Sequence, residues 1–184
     1  MTRKTDFTPP NGAFWVFGYG ALMWHADFPF TARRHAILYG YHRALCVYSW
    51  VYRGTEENPG LVFGLDRGGA VNGMAYRIAG KNAKDVFEKI YAQEMVTAVY
   101  RPRWLDLRLT DGTPQTVKGL VFVANEKNEQ YAGKLSEDDL VRLTRAGHGS
   151  KGPCSDYVLN TADHLRECGI RDRRLERLAR RLTS

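Results

Sequence analysis

The pattern of apolar and polar positions predicts short strands through much of the chain. Apolar or alternating runs bounded by glycines and polar turns predict strands at 14–17, 37–49, 60–65, 73–78, 105–109 and 117–123. We expect a turn at 67–69, between the third and fourth of these runs, and a polar loop from Arg53 to Gly60. Asp111-Gly112 predicts a hairpin that joins the last two strands.

Helical spacing predicts the remaining elements. Apolar residues recur at core spacing after Asn82, which is expected to cap a helix ending near Met95. Ser136 with Asp139 resembles a capping box for a helix that runs to about residue 146. Further helices are expected at 156–168 and 171–184, and the glycine-rich segment 147–153 is expected to be a loop.

This order of elements indicates the fold class. Most strands follow one another without an intervening helix, so we predict an α+β fold around a curled or barrel-like sheet and not a doubly wound one. With 184 residues and 43% hydrophobic content the chain can bury its own core. We expect a flexible N-terminal segment over residues 1–13 and a single domain over 14–184 that ends in the arginine-rich helix.

An apolar run that breaks at two glycines, Gly18 and Gly20, is the most informative local feature. Glycine permits close approaches that a β-carbon would forbid, so a buried strand can deliver main chain to a ligand here. Alternatively, the strand ends in a tight bend and the following apolar residues return to the core. A dinucleotide-binding site is not predicted, because Met23 stands where that fingerprint needs a third glycine and no acidic residue lies in the region 40–46.

Charge, cysteine content and motifs exclude several classes of protein. The net charge is +7, but residues 171–184 carry six arginines against two acidic residues, which leaves only +3 for the remainder. We therefore interpret the arginines as the solvated face of the terminal helix and predict no nucleic-acid partner. The three cysteines form no Cys-x-x-Cys pair and the five histidines show no ligand spacing, so no disulfide framework, metal or cofactor is predicted. The polar N-terminus and the absence of an 18-residue apolar run predict a cytoplasmic protein without a membrane partner.

Glu94 is the candidate for chemistry. It follows Phe87 by seven residues and Ile90 by four, which places its carboxylate on the apolar face of the predicted helix. A carboxylate that lines a cleft has a raised pKa and can transfer protons. Alternatively, Glu94 turns to solvent at the helix end or pairs with Arg101 or Arg103.

Several motifs together resemble the ChaC family of γ-glutamylcyclotransferases. They occur in family order over most of the chain, at Val16–Trp24, Arg53–Thr55, Pro59-Gly60, Gln93–Met95, Tyr100–Pro102 and Asp156–Thr161. The resemblance implies a mixed β-barrel sheet with helices packed around it. It also implies release of 5-oxoproline from a γ-glutamyl compound, typically glutathione.

The resemblance also implies roles for individual residues. Glu94 matches the family's catalytic glutamate. The substrate-binding positions that it implies are Gly18, Tyr19, Gly20, Ala21, Leu22, Arg53 and Tyr157. Position 21 departs from the family's Tyr-Gly-Ser-Leu pattern, because alanine replaces serine and removes a hydroxyl group. From the residues alone, Arg53 is equally consistent with a solvated loop residue and Tyr157 with a core aromatic.

The expected activity is therefore conversion of glutathione to 5-oxoproline and Cys-Gly, with Glu94 as general base and acid. Other γ-glutamyl amino acids or amines are alternative substrates, and a regulator that binds γ-glutamyl ligands without turnover is a further alternative. The sequence does not determine the oligomeric state.

Overall fold

A computed structural model describes residues 11–95 and 97–184. Five of its strands close a barrel in the order β1-β3-β2-β4-β5, in which β1 is antiparallel to β3 and parallel to β5. The barrel strands are β1 (Phe14–Gly18), β2 (Ala32–Ser49), β3 (Gly60–Ile78), β4 (Tyr100–Leu109) and β5 (Gln115–Ala124). A two-stranded sheet pairs β6 (His148–Gly149) with β7 (Gly152–Pro153). The predicted mixed barrel is thus confirmed.

Among the described residues, one helix lies between β3 and β4 in sequence and three follow β5. They are α1 (Ala83–Glu94), α2 (Glu137–Ala146), α3 (Cys154–Glu167) and α4 (Arg173–Thr183), and short 3₁₀ turns occupy Ala21–Met23 and Gly80–Asn82. None of these helices in the described residues is both long and apolar enough to cross a membrane.

The chain divides into two compact units, and β2 and β3 run through both. The first unit holds the chain up to residue 39 together with 70–123, and the second holds 40–69 together with 124–184. Each has its own buried apolar residues: Val16, Phe17, Ile78, Leu107 and Leu109 in the first, and Cys46, Leu61, Leu65, Val158 and Leu165 in the second.

The turn expected at 67–69 is wrong. The two predicted strands on either side of it form one 19-residue strand, β3. Gly68 and Gly69 both have positive φ angles, +96° and +73°, which only glycine adopts readily. His42 lies on the neighbouring strand β2, and its Nδ1 is 3.0 Å from the Gly68 carbonyl oxygen. The glycines therefore bend the strand without ending it.

The helix caps were predicted with mixed success. Ser136 Oγ accepts a hydrogen bond from the Asp139 amide at 3.1 Å, which confirms the N-terminal cap of α2. Asn82 precedes α1, but its side chain makes no capping hydrogen bond. Its backbone already belongs to the 3₁₀ turn before the helix and has helical dihedral angles, whereas a capping residue has an extended backbone.

The arginine-rich helix α4 is present, with Leu175 and Leu178 buried. Its charged face is exposed as expected, and it also pairs with the start of α2: Arg177 lies 2.7 Å from Glu137 and Arg181 lies 2.6 Å from Asp138. The flexible N-terminal segment falls mainly on residues 1–10, which lie outside the described residues, and the division at residue 13 stays a prediction.

Candidate functional site

In the first unit, β1 delivers the motif residues into a tight turn. β1 pairs with β3 along its length, from Phe14 opposite Ile78 to Gly18 opposite Met74. A β-carbon built on Gly18 would lie 3.0 Å from the Leu22 β-carbon, so the close approach expected at this glycine is present. Gly20, in contrast, has open space where a side chain would start.

The turn uses its carbonyl groups and leaves amides available. Met23 N donates to the Gly20 carbonyl at 2.8 Å, and the amides of Trp24 and His25 donate to the Ala21 carbonyl at 3.2 and 2.8 Å. Within the described part of the chain, the amides of Gly20, Ala21 and Leu22 make no hydrogen bond. This main chain can therefore donate hydrogen bonds to an anionic or carbonyl ligand.

Glu94 is the last residue of α1, whose Val86, Phe87 and Ile90 are buried. Its side chain is half-buried, and this burial raises its pKa to about 7. No described residue forms an ion pair or hydrogen bond with it, Arg101 and Arg103 included. The geometry favours the inward-facing interpretation, and a carboxylate with this pKa can accept and return a proton near neutral pH.

One ion pair links the helix that carries Glu94 to the chain just after the turn. Lys89 Nζ lies 2.8 Å from Asp27 Oδ2 and also donates to the Asp27 carbonyl. Both side chains are substantially exposed, so the pair contributes little free energy. It does show that α1 and the segment after the turn lie in contact within the first unit.

In the second unit, Arg53 and Tyr157 are in contact. The Arg53 guanidinium carbon lies 5.2 Å from the centre of the Tyr157 ring, within cation–π distance. Burial raises the pKa of Tyr157 to about 12, so its phenol is neutral at physiological pH. The hydroxyl accepts a hydrogen bond from the Phe63 amide at 3.2 Å. Arg53 is therefore more than a solvated loop residue, and Tyr157 is more than a core aromatic, because each makes a specific polar or cation–π contact.

The glycine-rich segment 147–153 holds Arg53 in place. Arg53 Nη1 donates to the carbonyls of Lys151, at 2.6 Å, and Pro153, at 3.3 Å. The amides of Ser150 and Lys151 donate to the carbonyls of Val51 and Tyr52, the two residues before Arg53. The sequence predicted a loop here, whereas the segment forms the antiparallel pair β6–β7, and nothing in its spacing indicated that Arg53 is its partner.

The sequence also missed Tyr76 and Arg33. Both donate to the carbonyl of Met23, the last residue of the turn in the first unit. The alternation of β3 could have shown that Tyr76 points inward, but its partner lies 53 residues earlier in the chain. A pattern of neighbouring residues does not reveal such a contact.

Cys46 and Cys154 have structural roles in the second unit. Cys46 is fully buried, and burial raises its pKa to about 12, which confirms the interpretation of this residue as core and not nucleophile. Cys154 Sγ lies 3.2 Å from both the amide and the carbonyl oxygen of Leu61, and burial raises its pKa too. These thiols fill the interior.

Comparison with known proteins confirms the resemblance. Residues 14–184 match the family described as ChaC-like protein. The glutathione-specific gamma-glutamylcyclotransferase of Escherichia coli strain K12 is 32% identical over 164 residues, which cover 89% of this chain and 70% of that protein. The glutathione-specific gamma-glutamylcyclotransferase 1 of Homo sapiens is 30% identical over 173 residues, covering 91% and 78%.

Solved structures agree on the fold. A crystal structure of the γ-glutamylcyclotransferase specific to glutathione from yeast has a TM-score of 0.83 at 20% identity, covering 94% of this chain and 96% of that one. This chain therefore belongs to the ChaC-like protein family, because the family matches residues 14–184 and the two relatives are 32% and 30% identical to it.

Proposed function

We propose that this protein is a γ-glutamylcyclotransferase that converts glutathione to 5-oxoproline and Cys-Gly. Membership of the ChaC-like family and relatives named for this activity support the substrate class. The observation that carries the proposal is Glu94, a half-buried carboxyl group with a pKa near 7 in the same unit as the turn that leaves three amides available.

The reaction needs a proton carrier and no protein nucleophile. The α-amine of the γ-glutamyl unit, once deprotonated by Glu94, attacks its own γ-carbonyl carbon and forms the five-membered lactam. The bond from that carbon to the cysteine nitrogen then breaks. This nitrogen leaves with both protons released by the α-nitrogen: the first is returned by Glu94, and the second is lost by the attacking amine as it becomes the lactam nitrogen. Folding the substrate so that its amine meets its carbonyl replaces an encounter between two molecules with an intramolecular step.

The turn would supply the donors that this chemistry requires. The amides of Gly20, Ala21 and Leu22 are assigned to the α-carboxylate of the substrate and to the oxyanion that develops on the γ-carbonyl. Tyr19 is the first residue of the Tyr-Gly-Ala-Leu sequence at this turn, and it is assigned to substrate binding with the three residues that follow it. Ala21 is exposed and brings no hydroxyl, so recognition at this position depends on main chain alone.

Arg53 and Tyr157 are assigned to the leaving group. Arg53 Nη1 is occupied by two carbonyls, but Nε and Nη2 have no partner among the described residues. They can bind the glycine carboxylate of glutathione, while the neutral Tyr157 hydroxyl retains its hydrogen for donation. The family motifs imply only that both residues bind substrate, and their assignment to the leaving group is part of this proposal.

Charge reversal of Arg53 tests its role. Arg53→Glu should raise KM for glutathione by about 10–100-fold and lower kcat less, because a charge-assisted hydrogen bond to the bound substrate is lost. Arg67→Glu is the matched control, since Arg67 is an exposed arginine of the same unit paired with Glu126. Thermal unfolding of both variants checks that the 147–153 segment still folds. Equal kinetics of the two variants would remove Arg53 from the site.

The pH dependence of the reaction should report Glu94. Only the carboxylate can accept the proton from the substrate ammonium, and burial raises the pKa of Glu94 to about 7. We therefore expect kcat/KM to rise as pH increases through about 7 and then to level off. Steady-state rates in buffers of constant ionic strength measure this profile. An inflection near pH 4.5, the usual glutamate range, would contradict the assignment.

The direct test of the function is incubation of the purified protein with millimolar glutathione, with 5-oxoproline and Cys-Gly followed by mass spectrometry. Appearance of both products in equal amounts supports the proposal. Turnover of other γ-glutamyl amino acids or amines but not glutathione would redirect it, and ligand binding without any product would favour a regulator. The cytoplasmic location expected from the sequence is consistent with the three free thiols and remains part of the proposal.

A further inference from the structure

Two side chains outside the family motifs donate to a single carbonyl group beneath the turn. The Tyr76 hydroxyl lies 2.9 Å from the Met23 carbonyl oxygen, and Arg33 Nη2 lies 3.2 Å from the same atom. Tyr76 is 1% exposed and is held edge-on by the rings of Phe28 and Phe30. Its hydroxyl therefore has a fixed position in the first unit.

The Met23 carbonyl is the first member of a chain of peptide groups. It shares its peptide group with the Trp24 amide, which donates to the Ala21 carbonyl at 3.2 Å. The Ala21 carbonyl in turn shares its peptide group with the Leu22 amide, one of the available donors of the turn. Hydrogen bonds in such a chain polarise one another, by about 10–30% per bond.

We infer that Tyr76 and Arg33 are positioning residues that fix and polarise the Leu22 amide through the Met23 carbonyl. The phenol supplies a fixed donor, and the guanidinium adds a positive charge at the far end of the chain. Both draw electron density from the Met23–Trp24 peptide group and, through it, from the Ala21–Leu22 peptide group. The Leu22 N–H becomes a stronger donor toward substrate. This inference rests on the proposed use of the turn amides in the reaction.

The test uses two single variants and one matched control. Tyr76→Phe removes only the hydroxyl, and Arg33→Met removes the guanidinium from an exposed position, where the fold tolerates the change. Arg34→Met is the control, because Arg34 is the next residue on β2 and also donates to a main-chain carbonyl, that of Thr113, at 3.0 Å. Thr113 has no part in the turn.

Two readouts separate the inference from the function on which it rests. In protein labelled with ¹⁵N-leucine and free of substrate, the Leu22 amide resonance should move in Tyr76→Phe and Arg33→Met and stay in place in Arg34→Met. With glutathione, each of the two variants should lose about 2–5-fold in kcat/KM, because the hydrogen bond from Leu22 to substrate is weakened and not lost. The inflection near pH 7 should not move, because Glu94 is untouched.

Each outcome decides the inference. A shifted Leu22 resonance together with a lower kcat/KM supports it. An unshifted resonance, or a shifted resonance with unchanged kcat/KM, overturns it, and loss of thermal stability without either effect would make Tyr76 a purely structural residue. If the parent protein does not turn over glutathione, the proposed function fails, while the resonance of Leu22 still decides whether the chain of peptide groups is polarised.

Discussion

Glu94→Gln should lower kcat for the cyclisation of glutathione by about 10²–10⁴-fold, the usual contribution of a general acid–base group. The amide of glutamine has nearly the shape of the carboxyl group, but it cannot take a proton from the α-amine or return one to the leaving nitrogen. Since the substrate still binds, KM should change much less than kcat. Quantification of 5-oxoproline over time measures the effect.

Glu88→Gln is the matched control, because Glu88 is an exposed glutamate of the same helix. It should retain parental activity.

Glu94→Gln should also fold, and at pH 8 it should be more stable than the parent by up to about 3 kcal/mol, from 1.36 kcal/mol for each unit of pKa shift. The sign follows from the raised pKa of Glu94, since the stability of the parent falls as pH rises from about 4.5 to 7 and that of the glutamine variant does not. An active, unchanged Glu94→Gln variant would remove Glu94 as the base.

What the sequence predicted well depends on residues close together in the chain. The inward direction of Glu94 follows from its spacing to Phe87 and Ile90, because these positions share one face of a helix. The close approach at Gly18 is likewise local, since it involves Leu22. Both features depend only on residues a few positions apart, where the periodicity of a helix or the path of a tight turn determines which side chains face each other.

The features that the sequence could not predict depend on contacts between distant segments. Tyr76 reaches Met23 across 53 residues, and Arg53 reaches the carbonyls of Lys151 and Pro153 across about 100. The bend in β3 is a similar case, since glycines at positive φ end some strands and only bend others, depending on whether neighbouring strands continue to pair. These contacts form only once the barrel has brought distant segments together. A pattern of neighbouring residues in one sequence does not show which distant segments meet.

The second large effect is expected at the start of α4. Arg43 Nη1 lies 2.8 Å from Asp172 Oδ2, and the Arg43 side chain is only 2% exposed. Asp172 Oδ1 also accepts a hydrogen bond from the Leu175 amide at 3.1 Å and so caps the helix. One carboxylate thus neutralises a buried charge and begins the arginine-rich helix.

Asp172→Asn should lower the free energy of unfolding by about 3–5 kcal/mol, because it retains a capping oxygen but leaves the buried Arg43 charge without this carboxylate. Such a loss is a large share of the roughly 5–15 kcal/mol that stabilises a typical domain. Denaturant titration measures it. Arg177→Met is the control, since it breaks the exposed pair with Glu137, which should contribute about 0–1 kcal/mol.

The double variant Arg43→Met with Asp172→Asn separates the charge from the cap. With no buried charge left to neutralise, it should recover part of the stability that Asp172→Asn loses. The positive charge of Arg43 also lowers the pKa of Tyr157, although burial dominates and raises it. If Asp172→Asn costs no more than Arg177→Met, the buried pair does not stabilise α4, and the leucines of that helix must hold it on their own.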